Sequence, residues 1–277
     1  LAFWAVANVA ATAADLAQAR ELYNRTQYEA ALREAEAIRP RTAAAQELVG
    51  QIRFMLGDFK KAVEAFEAAV KMEPDNSEYA HWLGRAWGRR AETANPLMAP
   101  GYAAKTRQWF ERAVALNPRN QEALNDLFDY YLEAPGFLGG GIEKAAKLAE
   151  HIAMLDTAEG YWAKAQVADR RKEFDRAEDS LRRAMNLAPQ QVGRVIDLAR
   201  YLAKRGRTSE SDAVFLQAQK MAPNSPKVLY ARAEVLVKEK RNLDEARNLL
   251  RQYLHSPLTP EDPPREQAER LLKQAGS

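Results

Sequence analysis

The sequence predicts an all-α chain of about seven stacked helix–turn–helix hairpins closed by a terminal capping helix, and three observations carry that reading. Alanine occurs 52 times in 277 residues, against 26 valines, isoleucines and threonines together, a tilt toward helix and away from sheet. Prolines recur at a fixed interval: Pro40 to Pro74, Pro189 to Pro223 and Pro223 to Pro257 are each 34 residues apart. Between them, small and large apolar residues return at spacings of three and four, the mark of one helix face. A fixed period of this size belongs to a repeat array, in which each unit buries its core against the next.

Residues 1–14, LAFWAVANVAATAA, carry no charge, and Ala11-Thr12-Ala13 has the A-x-A form of a signal-peptidase site before Asp15 opens the polar sequence. The segment reads as the remnant of a secretory leader, with an Ala-rich first helix as the alternative. The leader reading makes the protein exported, periplasmic or held at the cell envelope; the helix reading leaves it cytoplasmic. Nothing else approaches the roughly 18 apolar residues of a membrane span.

The units follow at about 12–42, 43–76, 77–120, 121–157, 158–191, 192–225 and 226–258, so the array occupies residues 15–258 once the leader-like stretch is set aside. In the fifth, Tyr161, Ala165 and Ala168 share one helix face. A turn at Arg171-Lys172-Glu173 leads to Phe174, Ala177, Leu181 and Ala184 on a second, and Pro189 ends that helix because proline lacks the N–H. Gly50, Gly57, Phe59, Ala62, Phe66, Ala69 and Pro74 repeat the order in the second unit. Residues 259–277 form the cap, where Glu266, Glu269, Arg270 and Lys273 give the helix from about Pro263 to Gln274 a polar face.

This order of a large residue, Leu-Gly, an aromatic, Gly, an aromatic, Ala, Phe, Ala and Pro resembles the tetratricopeptide repeat, a 34-residue helix–turn–helix module. The resemblance covers nearly the whole chain from about Thr12, and it implies an α-α superhelix, the tetratricopeptide solenoid. It further implies a non-catalytic scaffold for a protein or peptide partner. In such arrays the first helices line a concave groove, and the matching positions here are His81, Arg85 and Arg89, then Asn125 and Asp129. Trp162, Gln166 and Arg170 follow in the fifth unit, Arg200 and Lys204 in the sixth, and Tyr230 in the seventh. Arginines and aromatics interleaved on one face are what peptide hot spots use. Arg85, Arg89, Arg170, Arg200 and Lys204 together form a basic pocket suited to an acidic or C-terminal segment. The Lys/Asn set that clamps a C-terminal carboxylate in some family members is not matched, since Asp126 stands where Asn is required. Two rival readings are a self-assembling envelope subunit and a carrier of a small or glycan ligand.

Two stretches break the period. Pro74 to Pro118 is 44 residues, and the surplus near residues 90–102, RAETANPLMAPGY, reads as a loop between the unit's two helices because of Pro96, Pro100 and Gly101. Residues 134–141, APGFLGGG, hold four of the 13 glycines, and their form resembles loops in bacterial tetratricopeptide proteins. Helices on both sides and Ile142-Glu143 after Gly141 exclude a P-loop. The expectation is a structural loop that tucks Phe137 and Leu138 against the neighbouring hairpin, with Phe137, Leu138, Gly139 and Gly140 the candidates for ligand contact at the groove edge.

Chemistry is sparse. Zero cysteines exclude disulfides, thiolate metal sites and cysteine nucleophiles. A net charge of +3 from 41 basic and 38 acidic residues, evenly spread, speaks against nucleic acid as a partner. His81, His151 and His255 lie in separate units with no H-E-x-x-H spacing, and no catalytic motif appears, so the expectation is no enzyme, no metal and no cofactor.

Overall fold

The computed structural model describes residues 2–276, with side chains from Ala13 onward. The described residues are all-helical, and the helices pair as predicted. The hairpins are α1 (Ala2–Asn24) with α2 (Tyr28–Ala37), α3 (Ala43–Met55) with α4 (Phe59–Met72), and α5 (Ser77–Thr93) with α6 (Ala99–Leu116). Next come α7 (Gln121–Glu133) and α8 (Ile142–Leu155), then α9 (Thr157–Arg170) with α10 (Phe174–Leu187), and α11 (Val192–Lys204) with α12 (Thr208–Met221). The last hairpin is α13 (Pro226–Lys238) with α14 (Leu243–His255), and α15 (Arg265–Gly276) follows it. Two compact units emerge, residues 1–148 and 149–277. The apolar side chains that carry the leader reading lie outside the described ones up to Thr12. No helix of the described residues is long and apolar enough to cross a membrane.

The hairpins turn by one recurring device. Two residues before α2, α4, α10 and α12, the backbone enters the left-handed region at Thr26, Gly57, Lys172 and Gly206, with φ of 57°, 76°, 62° and 73°. In the seventh hairpin both Lys240 and Asn242 adopt positive φ before α14 begins. Five helix starts are capped by side chains: Thr42, Asp58, Asn76, Asn120 and Asp156 each accept a backbone N–H of the helix that follows.

Within a hairpin, a small residue on the first helix admits a large one from the second. A Cβ on Gly50 would come within 2.6 Å of the Phe66 ring, and one on Gly84 within 2.5 Å of the Phe110 ring. Ala165 packs in the same cluster as Leu181, and Ala199 in the same cluster as Phe215. In the second unit, ion pairs repeat the period of the sequence. Lys204 meets Asp169 at 2.6 Å, Arg200 meets Glu234 at 2.8 Å and Arg194 meets Glu159, each pair 34 or 35 residues apart. Arg207 with Glu178 and Arg241 with Asp212, both 29 apart, tie the turn of one hairpin to the second helix of the one before. The exposed pairs among these contribute about 0–1 kcal/mol each, so they chiefly set register, whereas Arg194 and Glu159 are mostly buried.

The segment near residues 90–102 is not the loop expected from its prolines. α5 runs 17 residues and α6 runs 18, against 13 and 14 in α3 and α4, so the surplus lengthens both helices and leaves only residues 94–98 between them. Pro100 sits in the first turn of α6, where its missing N–H costs nothing. Asn95 accepts the N–H groups of Leu97 and Met98 to make the turn. The added turns are held by Trp87 and Tyr102, 5.2 Å apart, with the Arg90 guanidinium 4.8 and 4.4 Å from their centroids.

The capping helix closes the array with one apolar face. Ala268, Leu271, Leu272 and Ala275 pack on the last hairpin, and Glu266, Glu269, Arg270 and Lys273 face solvent.

Candidate partner-binding cleft

The lengthened hairpin creates the most distinctive surface of the first unit. One flank is a cavity of about 420 Å³ lined by Phe54 of α3, Arg85, Gly88, Arg89 and Glu92 of α5, Thr106 and Phe110 of α6, and Asp126, Tyr130 and Glu133 of α7. The other flank is a cavity of about 380 Å³ between the turn at Gly57–Lys60 and the added residues Arg90, Thr93, Asn95, Met98 and Tyr102. A break in the 34-residue period has thus become two clefts.

Rings orient the arginines of the first cleft. The Arg85 guanidinium lies 4.3 Å from the Trp82 centroid and 5.5 Å from that of Phe54, and its Nε is 3.5 Å from Asp126 Oδ2. Arg89 lies 5.1 Å from the Phe59 centroid and pairs with Glu92. Phe66 stacks beneath Trp82 at 5.8 Å, with 17° between the ring planes. A guanidinium held on aromatic faces keeps its donor edges free to meet a carboxylate. The cleft is therefore apolar at its floor and mixed in charge at its rim.

The other predicted groove residues divide. His81 is fully buried, its ring 5.8 Å from Phe110 and its Nε2 2.8 Å from Asp126 Oδ2, so it is not a surface contact. Asn125 is half-buried and accepts from Gln121 Nε2 at 3.0 Å, and Asp129 is exposed; neither lines the cleft. In the second unit Trp162 and Gln166 are half-buried and Arg170 is exposed. Tyr230 is buried, with its hydroxyl 3.4 Å from Gln267. Of the basic residues read from sequence, Arg85, Arg89, Arg200 and Lys204 each meet a carboxylate of the protein itself. Sequence spacing finds the first-helix face, but the partners of Arg85, Arg200 and Lys204 come from neighbouring repeats and stay hidden until the hairpins stack, whereas Glu92 meets Arg89 within α5.

Beside this face in the second unit, burial pushes the Asp197 carboxyl up to about 6, more than Arg194 at 3.0 Å offsets. The folded chain then holds a proton that the unfolded chain releases near pH 4. This group's contribution to stability is fully present in acid and is lost as pH rises to about 6. The stability of Asp197→Asn relative to wild type, measured by urea unfolding, should therefore grow between pH 4 and 6 and then level off. A flat difference counts against the raised carboxyl.

The glycine-rich segment also departs from expectation. Phe137 is 83% exposed rather than tucked away, while Leu138 is half-buried in a 3-10 turn, Gly136–Leu138. The backbone around it is fixed. The Tyr130 hydroxyl donates to Leu138 O at 3.0 Å, Lys144 Nζ donates to Gly139 O at 2.8 Å, and Gly139 has φ of 87°. A Cβ on Gly140 would overlap the Ala134 carbonyl. The glycines serve this close turn, which leaves Phe137 projecting.

Comparisons with known proteins bear on the class. Residues 43–76, 158–191 and 196–263 match models of the tetratricopeptide repeat. Among solved structures, a tetratricopeptide repeat protein from Parabacteroides merdae is 14% identical with a TM-score of 0.63, covering 96% of this chain and 99% of that one. A thermophilic tetratricopeptide protein of Thermus thermophilus is 21% identical with a TM-score of 0.56, covering 69% and 98%. At these identities the likeness is one of fold. Among curated proteins none matches. The chain thus carries tetratricopeptide repeats and folds as a tetratricopeptide-type array of helical hairpins.

Proposed function

We propose that the protein is a non-catalytic interaction scaffold that takes a peptide or protein partner in the cleft beside the lengthened hairpin. The observation that carries this reading is the cleft itself: Phe54, Phe110 and Tyr130 offer an apolar seat, and Arg85 and Arg89 stand oriented at its rim. Such a preformed surface loses little ordering entropy when it binds. The partner segment that fits has an apolar anchor flanked by an acidic residue, since Arg85 and Arg89 can exchange Asp126 and Glu92 for a partner carboxylate. An exported, envelope-located role agrees with the leader-like sequence of residues 1–14.

Selection of displayed peptides against the full chain tests this. Enriched peptides should carry an apolar residue next to Asp or Glu, and Arg85→Glu should weaken them at least about tenfold, the range of a charge-assisted contact. Arg200→Glu, which alters the second unit, should leave them unaffected. No enrichment, or equal binding to Arg85→Glu, would sink the proposal.

A further inference from the structure

Below the cleft, α5 and α7 run side by side, and three ligand-type side chains converge near their N-terminal ends. Glu78, His81 and Glu122 each bring one ligand atom to within 4.8 Å of the others. Glu78 and Glu122 are exposed, whereas His81 is fully buried. Acidic residues at helix starts are common and would by themselves mean nothing. The histidine distinguishes this group. Its Nε2 is engaged by Asp126 at 2.8 Å, and its Nδ1, buried as well, has no hydrogen-bond partner. An orphaned polar atom in a buried ring calls for a partner that the protein itself does not supply.

The chemistry of that partner follows from the tautomer. With Asp126 accepting a hydrogen bond from Nε2–H, the lone pair is on Nδ1, directed away from Asp126 across the ring. A carboxylate that fixes one imidazole nitrogen while the other stays free to ligate is the usual support of a metal-bound histidine. Glu78 is itself held, because Asn120 Nδ2 donates to its Oε1 at 3.1 Å while the Asn120 side-chain oxygen caps α7. Two carboxylates and one imidazole suit a divalent first-row transition ion and leave coordination positions open to water. We infer that Glu78, His81 and Glu122 form a binding site for one such ion, Zn²⁺ being the natural probe, with His81 ligating through Nδ1. The sequence hint was the i,i+3 spacing of Glu78 and His81; Glu122 joins them only through the contact of α5 with α7.

The test is calorimetric titration of the metal-stripped 277-residue chain with Zn²⁺, alongside the visible absorption spectrum with Co²⁺, which reports a nitrogen–oxygen ligand field. One ion per chain should bind. Glu78→Gln and Glu122→Gln, both exposed and conservative, should each weaken it at least about tenfold, and Glu64→Gln, exposed on α4, should not. His81→Gln should abolish binding; its folding is checked by circular dichroism, and the two glutamate variants decide the matter if it unfolds. No stoichiometric binding, or affinity unchanged in both glutamate variants, overturns the inference and leaves a buried water as the partner of Nδ1.

Discussion

Phe66→Ala is expected to destabilise the first unit by about 3–5 kcal/mol, the range for removing a fully buried aromatic ring and leaving a cavity. Phe66 is wholly inaccessible, fills the space that Gly50 leaves open and stacks under Trp82. Repeat arrays distribute stability between neighbours, so a single two-state free energy is a poor readout. Hydrogen exchange is better: protection should fall in α3, α4 and α5 and persist in α11 to α14. The same substitution reaches the cleft, because Trp82 is the surface on which Arg85 lies. Peptide affinity should drop even where the unit remains folded. Uniform loss of protection through both units, or a loss below about 1 kcal/mol, would show that Phe66 is not the keystone of its hairpin.

Gly160→Val is expected to cost about 3 kcal/mol, at the upper end of overpacking effects. A side chain at Gly160 would overlap the Cα and Cβ of Ala153 in α8, and Asp156 alone joins α8 to α9, so the helices cannot ease apart. Gly160→Ala gives the sharper sign. An unconstrained glycine inside a helix gains about 1 kcal/mol on becoming alanine. Here the substitution should destabilise instead, as read from the thermal unfolding midpoint. A stabilised alanine variant would mean that α8 and α9 approach less closely.

The hairpins were legible in the sequence because each is specified several times over. Pro74 and Pro189, the Gly50/Phe66 and Ala165/Leu181 complementarities, and the turn at Gly57 all agree on the same boundaries. The lengthened hairpin was not legible, because Pro96, Pro100 and Gly101 carry the same local signal in a loop as in the first turn of a helix. Only the packing of Trp87, Tyr102 and Arg90 decides between them. The site was read at the level of a face. Arg85 and Arg89 line the cleft, but His81, one position from Trp82, turns inward to Phe110 and Asp126. Phe137 shows the converse: its apolar character suggested burial, whereas the ring projects 83% exposed from the turn that the glycines around it close.

One carboxylate oxygen, Asp126 Oδ2, is shared between two groups: the buried imidazole of His81 at 2.8 Å and the cleft arginine, Arg85, at 3.5 Å. A ligand that draws Arg85 outward leaves that oxygen to the imidazole alone, and anything that raises the imidazole's demand for it releases Arg85. By reciprocity of binding free energies, occupancy of the surface cleft and the state of the buried ring must each bias the other. The array then has a lever: a contact made at its surface is felt in its interior, and the reverse, through a single atom.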